Sequence, residues 1–118
     1  MKTSEQINEV AAALAAAQGE LADTPKEQSG YGYKYADLAG VHKIARPVLA
    51  KHGLAVVQDA AVEGVEVLVA TRICHQSGQW LEVGPLRMEA EPKKGLSHAQ
   101  CVGSVVTYAR RYALMAML

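Results

Sequence analysis

The sequence predicts an α+β fold in which two helices precede an antiparallel three-stranded meander packed on a long C-terminal helix. Three patterns predict it. Apolar residues recur every three to four positions over 3–22 and again over 37–53. They alternate with polar residues over 54–88, with two turn signals between, and return to helical spacing from 98 to the end. A run of strands between helical stretches segregates the helices from an antiparallel sheet.

The first helix is expected over 3–22, where Ile7, Val10, Ala11, Leu14, Ala17 and Leu21 share a face. Thr3 and Gln6 have the spacing of a capping box, and Gly19 weakens the later turns. Residues 23–32 carry Pro25, Gly30 and Gly32 and read as a linker, and 31–36 as a short extended segment. Asp37 is the expected N-cap of the second helix, whose stripe is Leu38, Val41, Ile44, Ala45, Val48 and Leu49. Pro47 is expected to kink or restart that helix, and Gly53 to close it.

Strands are expected over 54–62, 65–76 and 79–88, joined by tight turns at Glu63-Gly64 and Ser77-Gly78. In the middle strand Val65, Val67, Val69, Thr71 and Ile73 fall on one face. Glu66, Leu68, Ala70, Arg72 and Cys74 fall on the other. Pro85 suits an edge strand or a strand end, because it donates no ladder hydrogen bond. A polar loop, 89–97, leads into the last helix at about 98–118. That helix stops in an uncapped apolar run, so 1–118 reads as one domain truncated at its C-terminus.

With 118 residues, half of them apolar, the chain can bury a core and is not of the disordered class. No apolar run approaches the roughly 20 residues of a membrane span. The polar start lacks the parts of a signal peptide. A cytoplasmic protein is expected, with Cys74 and Cys101 as buried thiols. The formal net charge is zero, but the charge comes in blocks. Residues 31–58 hold Lys34, Lys43, Arg46 and Lys51 against Asp37. Residues 92–118 hold Lys93, Lys94, Arg110 and Arg111 against no carboxylate, and the other stretches are acidic. A phosphate backbone responds to local positive charge. Solvated faces produce such blocks as well.

The last helix carries the most chemistry. At 100° per residue, Val102, Val105, Val106, Ala109, Tyr112, Ala113 and Ala116 gather on one side. Gln100, Gly103, Ser104, Thr107, Arg110 and Arg111 gather on the other, a small, polar, cationic surface without an acid. Small residues admit close approach, and hydroxyls and guanidinium groups bond phosphate oxygens. An ordinary solvent face would mix Glu with Lys. The segment Tyr31-Gly32-Tyr33-Lys34-Tyr35 sets three tyrosines on one side of an extended chain, with Lys34 opposite. Unpaired bases stack on such rings, although the same rings can pack on a core. Lys93 and Lys94 offer either phosphate contacts or plain solvated charge. Arg72 either reaches the same groove or pairs across strands with an acid such as Glu82.

Other chemistries fit poorly. Cys74, His75, His98 and Cys101 suggest zinc, but adjacent strand residues point to opposite faces, so neither metal nor other cofactor is expected. There is no GxxxxGK[ST] loop for ATP and no GxSxG elbow. The carboxylates form no evident two-metal cluster. Trp80 reads as a core or subunit-contact residue. A binding protein is expected, not an enzyme.

Four stretches carry a family resemblance: G-S-V-V-T-Y-A-R-R-Y-A-L at 103–114, Y-K-Y-A-D-L at 33–38, L-A-K-H-G-L at 49–54 and T-R-I-C-H-Q-S-G at 71–78. In this order they resemble the ERF (essential recombination function) family of phage single-strand annealing proteins, over about residues 30–118. The resemblance implies a β-β-β-α annealing core that assembles as a homo-oligomeric ring or filament. It implies single-stranded DNA held in a basic groove and paired with its complement without ATP, in phage or prophage recombination inside a bacterial host. By this likeness Thr107, Arg110 and Arg111 line the groove from the helix, and Tyr33, Lys34 and Tyr35 contribute from the first extended segment. A host single-strand-binding protein or a phage exonuclease is the implied partner. The alternatives are a single-strand coating protein that does not anneal, and an oligomeric scaffold or adaptor protein whose basic face binds a protein and which anneals no DNA.

Overall fold

Alternation along the middle strand decides the layers. Val67, Val69, Thr71 and Ile73 are each 0% exposed, while Leu68, Ala70, Arg72 and Cys74 between them are half-buried. One face of the sheet is therefore a core face and the other is not. The computed structural model describes residues 1–22 and 37–118. Along these run β1 (Lys2–Thr3), α1 (Asn8–Ala22), α2 (Leu38–Lys51), β2 (Leu54–Glu63), β3 (Glu66–His75), β4 (Trp80–Glu89) and α3 (His98–Met117). All strand pairs are antiparallel, in the order β1-β4-β3-β2. The meander and the long helix behind it are as the sequence predicts, with β1 as an added fourth strand.

That added strand corrects the expected start of the first helix. Lys2 and Thr3 pair with Glu82 and Leu81. The Ser4 hydroxyl accepts from the Trp80 N–H at 2.9 Å, so the chain is committed to the sheet before it can turn. The helix begins only at Asn8. Its first free N–H groups, those of Glu9 and Val10, donate to Oε1 of Gln79 at 2.8 and 3.0 Å. The cap thus comes from the β3–β4 turn and not from a Thr3/Gln6 box.

Asp37 caps α2 as expected, its carboxylate accepting from the Gly40 N–H at 2.6 Å. The helix does not restart at Pro47 but runs on to Lys51. Pro47 and Lys43 both lie on the exposed side, so the carbonyl that loses its N–H partner can take water instead. Gly53 follows the helix at φ +70°, the left-handed turn that returns the chain into β2. The β2–β3 loop is Gly64-Val65, one residue later than expected, closing on the pair Glu63 and Glu66. Opposite Val69 and Thr71 the β3–β4 register shifts, and Gly84 and Pro85 take up the irregularity. β1 pairs only with Leu81 and Glu82, so Pro85 lies on an uncovered edge, where a missing donor costs little.

The helices cover the core face. Val10 and Ala17 of α1, Ala45 and Leu49 of α2, and Met117 of α3 pack with Leu54, Ile73 and Leu81. A second cluster joins Cys101, Ala109 and Ala113 of α3 to Val67, Val69 and Ala90. α3 therefore bridges both clusters, starting from Ser97, which forms a reciprocal capping box with Gln100. Cys101 is buried, but Cys74, on the other face, is only half-buried, which corrects the expectation of two buried thiols. Among the described residues, no element packs on that second face, and nothing pairs with the outer edge of β2. No described helix is long and apolar enough to cross a membrane.

Candidate nucleic-acid interface

Burial along α3 sets which side chains can meet a ligand. Ala109, Ala113, Leu114 and Met117 point into the core, leaving Thr107, Tyr108, Tyr112 and Met115 exposed. Arg110 and Arg111 are both half-buried, on different flanks of this surface. Arg110 leans toward β2, where its Nε donates to Oε1 of Gln58 at 3.2 Å. The amide of Gln58 donates in turn to the carbonyl of Arg110 at 2.9 Å and to the buried hydroxyl of Thr71 at 3.0 Å. This relay fixes the stem of Arg110 from inside the sheet.

A second arginine meets the same region from α2. Burial holds the His42 imidazole below its ordinary pKa, and the positive charges of Arg46 and Arg110 lower it further. His42 and Arg46 are four residues apart, one above the other on α2. The Nε2 of His42 is shielded and has no hydrogen-bond partner. Among the described residues, no carboxylate forms an ion pair with Arg46 or Arg110, nor with Lys43, Lys93 or Lys94, whereas three cations of other surfaces are paired. Lys51 meets Glu20, Arg72 meets Glu82 and Arg87 meets Glu66, each at 2.9 Å. Where α2, β2 and α3 meet, positive charge is thus left uncompensated, which suits an anion.

The crest of α3 is aromatic as well as basic. Tyr108 and Tyr112 cross edge-to-face with centroids 4.9 Å apart. The Arg111 guanidinium carbon lies 4.5 Å from one ring centroid and 4.9 Å from the other. The Tyr112 hydroxyl donates to that of Tyr108 at 3.4 Å. This contact, ahead of hydrogen bonding and charge from Arg111, pulls the Tyr108 phenol below its usual range. The same contact pushes Tyr112 above it. Thr107 is exposed, its hydroxyl donating to the Gly103 carbonyl at 3.1 Å, so it faces a ligand as an acceptor.

The sequence-predicted residues are only partly brought together. Thr107, Arg110 and Arg111 share α3. Lys93 and Lys94 are exposed in the loop before its N-terminus, about 20 Å of helix rise from Arg110. Arg72 is on the opposite face of the sheet from α3, because strand side chains alternate; the expectation that it shares a groove with Arg110 is corrected. It pairs with Glu82 and stacks over Trp80 at 3.7 Å. Tyr33, Lys34 and Tyr35 lie outside the described residues. Sequence reasoning missed His42, Arg46, Gln58 and Tyr108, and assigned Tyr112 to the core side although it is 47% exposed. The i, i+4 spacings of His42 with Arg46 and of Tyr108 with Tyr112 were the available signals. Among the described residues, no three of His, Cys, Asp and Glu converge as metal ligands.

The family model described as the ERF superfamily matches residues 10–118. No curated protein and no solved structure matches the chain.

Proposed function

The chain belongs to the ERF superfamily, and from that membership and the geometry of α3 we propose that it binds single-stranded DNA and anneals complementary strands without ATP, as a homo-oligomer serving phage or prophage recombination. One observation carries the reading: Arg46 and Arg110 both act on His42 and, among the described residues, no acid pairs with either, while the arginines of the far sheet face are paired. A chain of zero net charge can then present one cationic track. Arg110, held through Nε, keeps its terminal nitrogens for phosphate oxygens. Assembly is supported by the edge of β2 and the sheet face that no described residue pairs with or covers, where Val57 is 55% exposed. Pairing of strands makes and breaks no covalent bond, so no catalytic group is required.

The test is fluorescence anisotropy with a labelled oligo-dT over a range of salt, for the unaltered protein and for Arg46→Ala/Arg110→Ala. Affinity should fall with salt, and the variant should bind at least about tenfold more weakly. Its slope should be flatter by about 0.7 per lost phosphate contact. Two complementary strands, one carrying a fluorophore and the other a quencher, should pair faster with protein and no ATP. Binding indifferent to salt and to both arginines would reject the reading in favour of an oligomeric scaffold or adaptor whose basic face binds a protein partner.

A further inference from the structure

We propose that Tyr108, Arg111 and Tyr112 form a stacking platform for unpaired nucleobases, separate from the phosphate contacts of Arg46 and Arg110; this rests on the single-stranded DNA reading above. Both rings are large apolar surfaces left to water, 46% and 47% exposed, on a helix whose core side is already filled by Ala109, Ala113 and Leu114. Packing the protein does not require them there. Arg111 lies over both rings, so the cluster adds a guanidinium to the two aromatic rings. Bases stack on tyrosine and on guanidinium planes irrespective of sequence, because every base has a π-face. The ring planes cross at 61°, so two bases taken up by this surface are splayed relative to each other and not stacked as in a duplex. Bases held apart in this way have their pairing edges free for a second strand.

The neighbouring surface fits the same occupant. Between α3 and the Gly84–Pro85 bend of β4 lies an open groove of about 340 Å³, lined by Val83, Pro85, Leu86, Tyr112 and Ala116. It is mostly apolar and open, and Tyr112 is among its lining, so a base on Tyr112 can rest its edge there. Arg110 and Arg46 lie on the other flank of α3. The helix thus separates a phosphate side from a base side. An i, i+4 ring pair also supports a helix locally, but that role predicts no dependence on bases.

The test compares Tyr108→Ala/Tyr112→Ala and Tyr108→Phe/Tyr112→Phe with the unaltered protein. Each is titrated against oligo-dT and against an abasic oligonucleotide of equal length. The alanine variant should lose about 5- to 150-fold in affinity per stacked base on oligo-dT. It should bind the abasic strand as the unaltered protein does, with an unchanged salt slope. The phenylalanine variant, which keeps the rings, should bind oligo-dT normally; if it alone folds, quenching of 2-aminopurine in the bound strand must still appear. Equal losses on both strands, or no loss on either, overturn the platform while leaving DNA binding intact. Failure of the unaltered protein to bind either strand overturns the DNA reading itself, and the platform with it.

Discussion

His42 stands where burial and two arginines all oppose a proton. Its folded-state pKa is therefore below that of the unfolded chain, and the unfolded chain takes up the proton more readily. The associated stability is full above about pH 6.5 and is lost as pH falls through the folded value. Replacing Arg46 with Ala should raise the His42 titration midpoint followed by NMR. A bound oligonucleotide should raise it too, because phosphate offsets the arginines, so DNA affinity should increase as pH falls through the His42 midpoint of the complex. A midpoint unmoved by both would mean that no anion occupies this position. Gln58 is the other decisive residue, since it joins Thr71 to Arg110. Gln58→Leu leaves a buried hydroxyl and a guanidinium N–H without partners. Urea unfolding should show a loss of about 1–3 kcal/mol.

At the scale of elements, helix ends and one strand bend hold the layers in place. Ser97 and Gln100 cap α3 from within its own first turn. Ser97→Ala should cost about 1 kcal/mol in thermal or urea unfolding. α1 is capped from outside, by Gln79. Gln79→Ala should speed hydrogen exchange at the Glu9 and Val10 amides while leaving the α3 amides protected; uniform protection would mean that another group caps α1. Gly84 sits at φ +104°, and a Cβ there would come within 2.8 Å of the Val69 carbonyl oxygen. Gly84→Ala should therefore cost at least the roughly 1–3 kcal/mol of a strained backbone, read from the urea midpoint.

For the whole molecule, the charge arrangement matters more than the charge total. Arg72 and Arg87 are neutralised on or beside the sheet face that no described element covers, whereas Arg46 and Arg110, on the helix side, form no ion pair among the described residues. Under the proposed function the helix side meets nucleic acid and the other face serves assembly. Val57→Lys places a charge on the uncovered face without touching the core. It should lower the mass of assemblies in light scattering while a single protomer still binds oligo-dT weakly. Unchanged mass would show that subunits meet elsewhere.

The order and type of the main elements follow from the sequence alone. Each depends on a local period: 3.6 in α2 and α3, two in β3, with Asp37 and Gly53 as punctuation. The acid-free surface of α3 is legible for the same reason, since a helix fixes which residues share a side. Contacts between elements are not local. Gln79 capping α1, Ser4 drawing the N-terminus onto β4, and Gln58 holding Arg110 all join residues far apart in the chain. So does the action of Arg46 and Arg110 on the one His42, and so does the separation of Arg72 from Arg110. Periodicity gives the direction of a side chain relative to its own helix or strand. Only packing, which sets one element against another, decides which side chains meet.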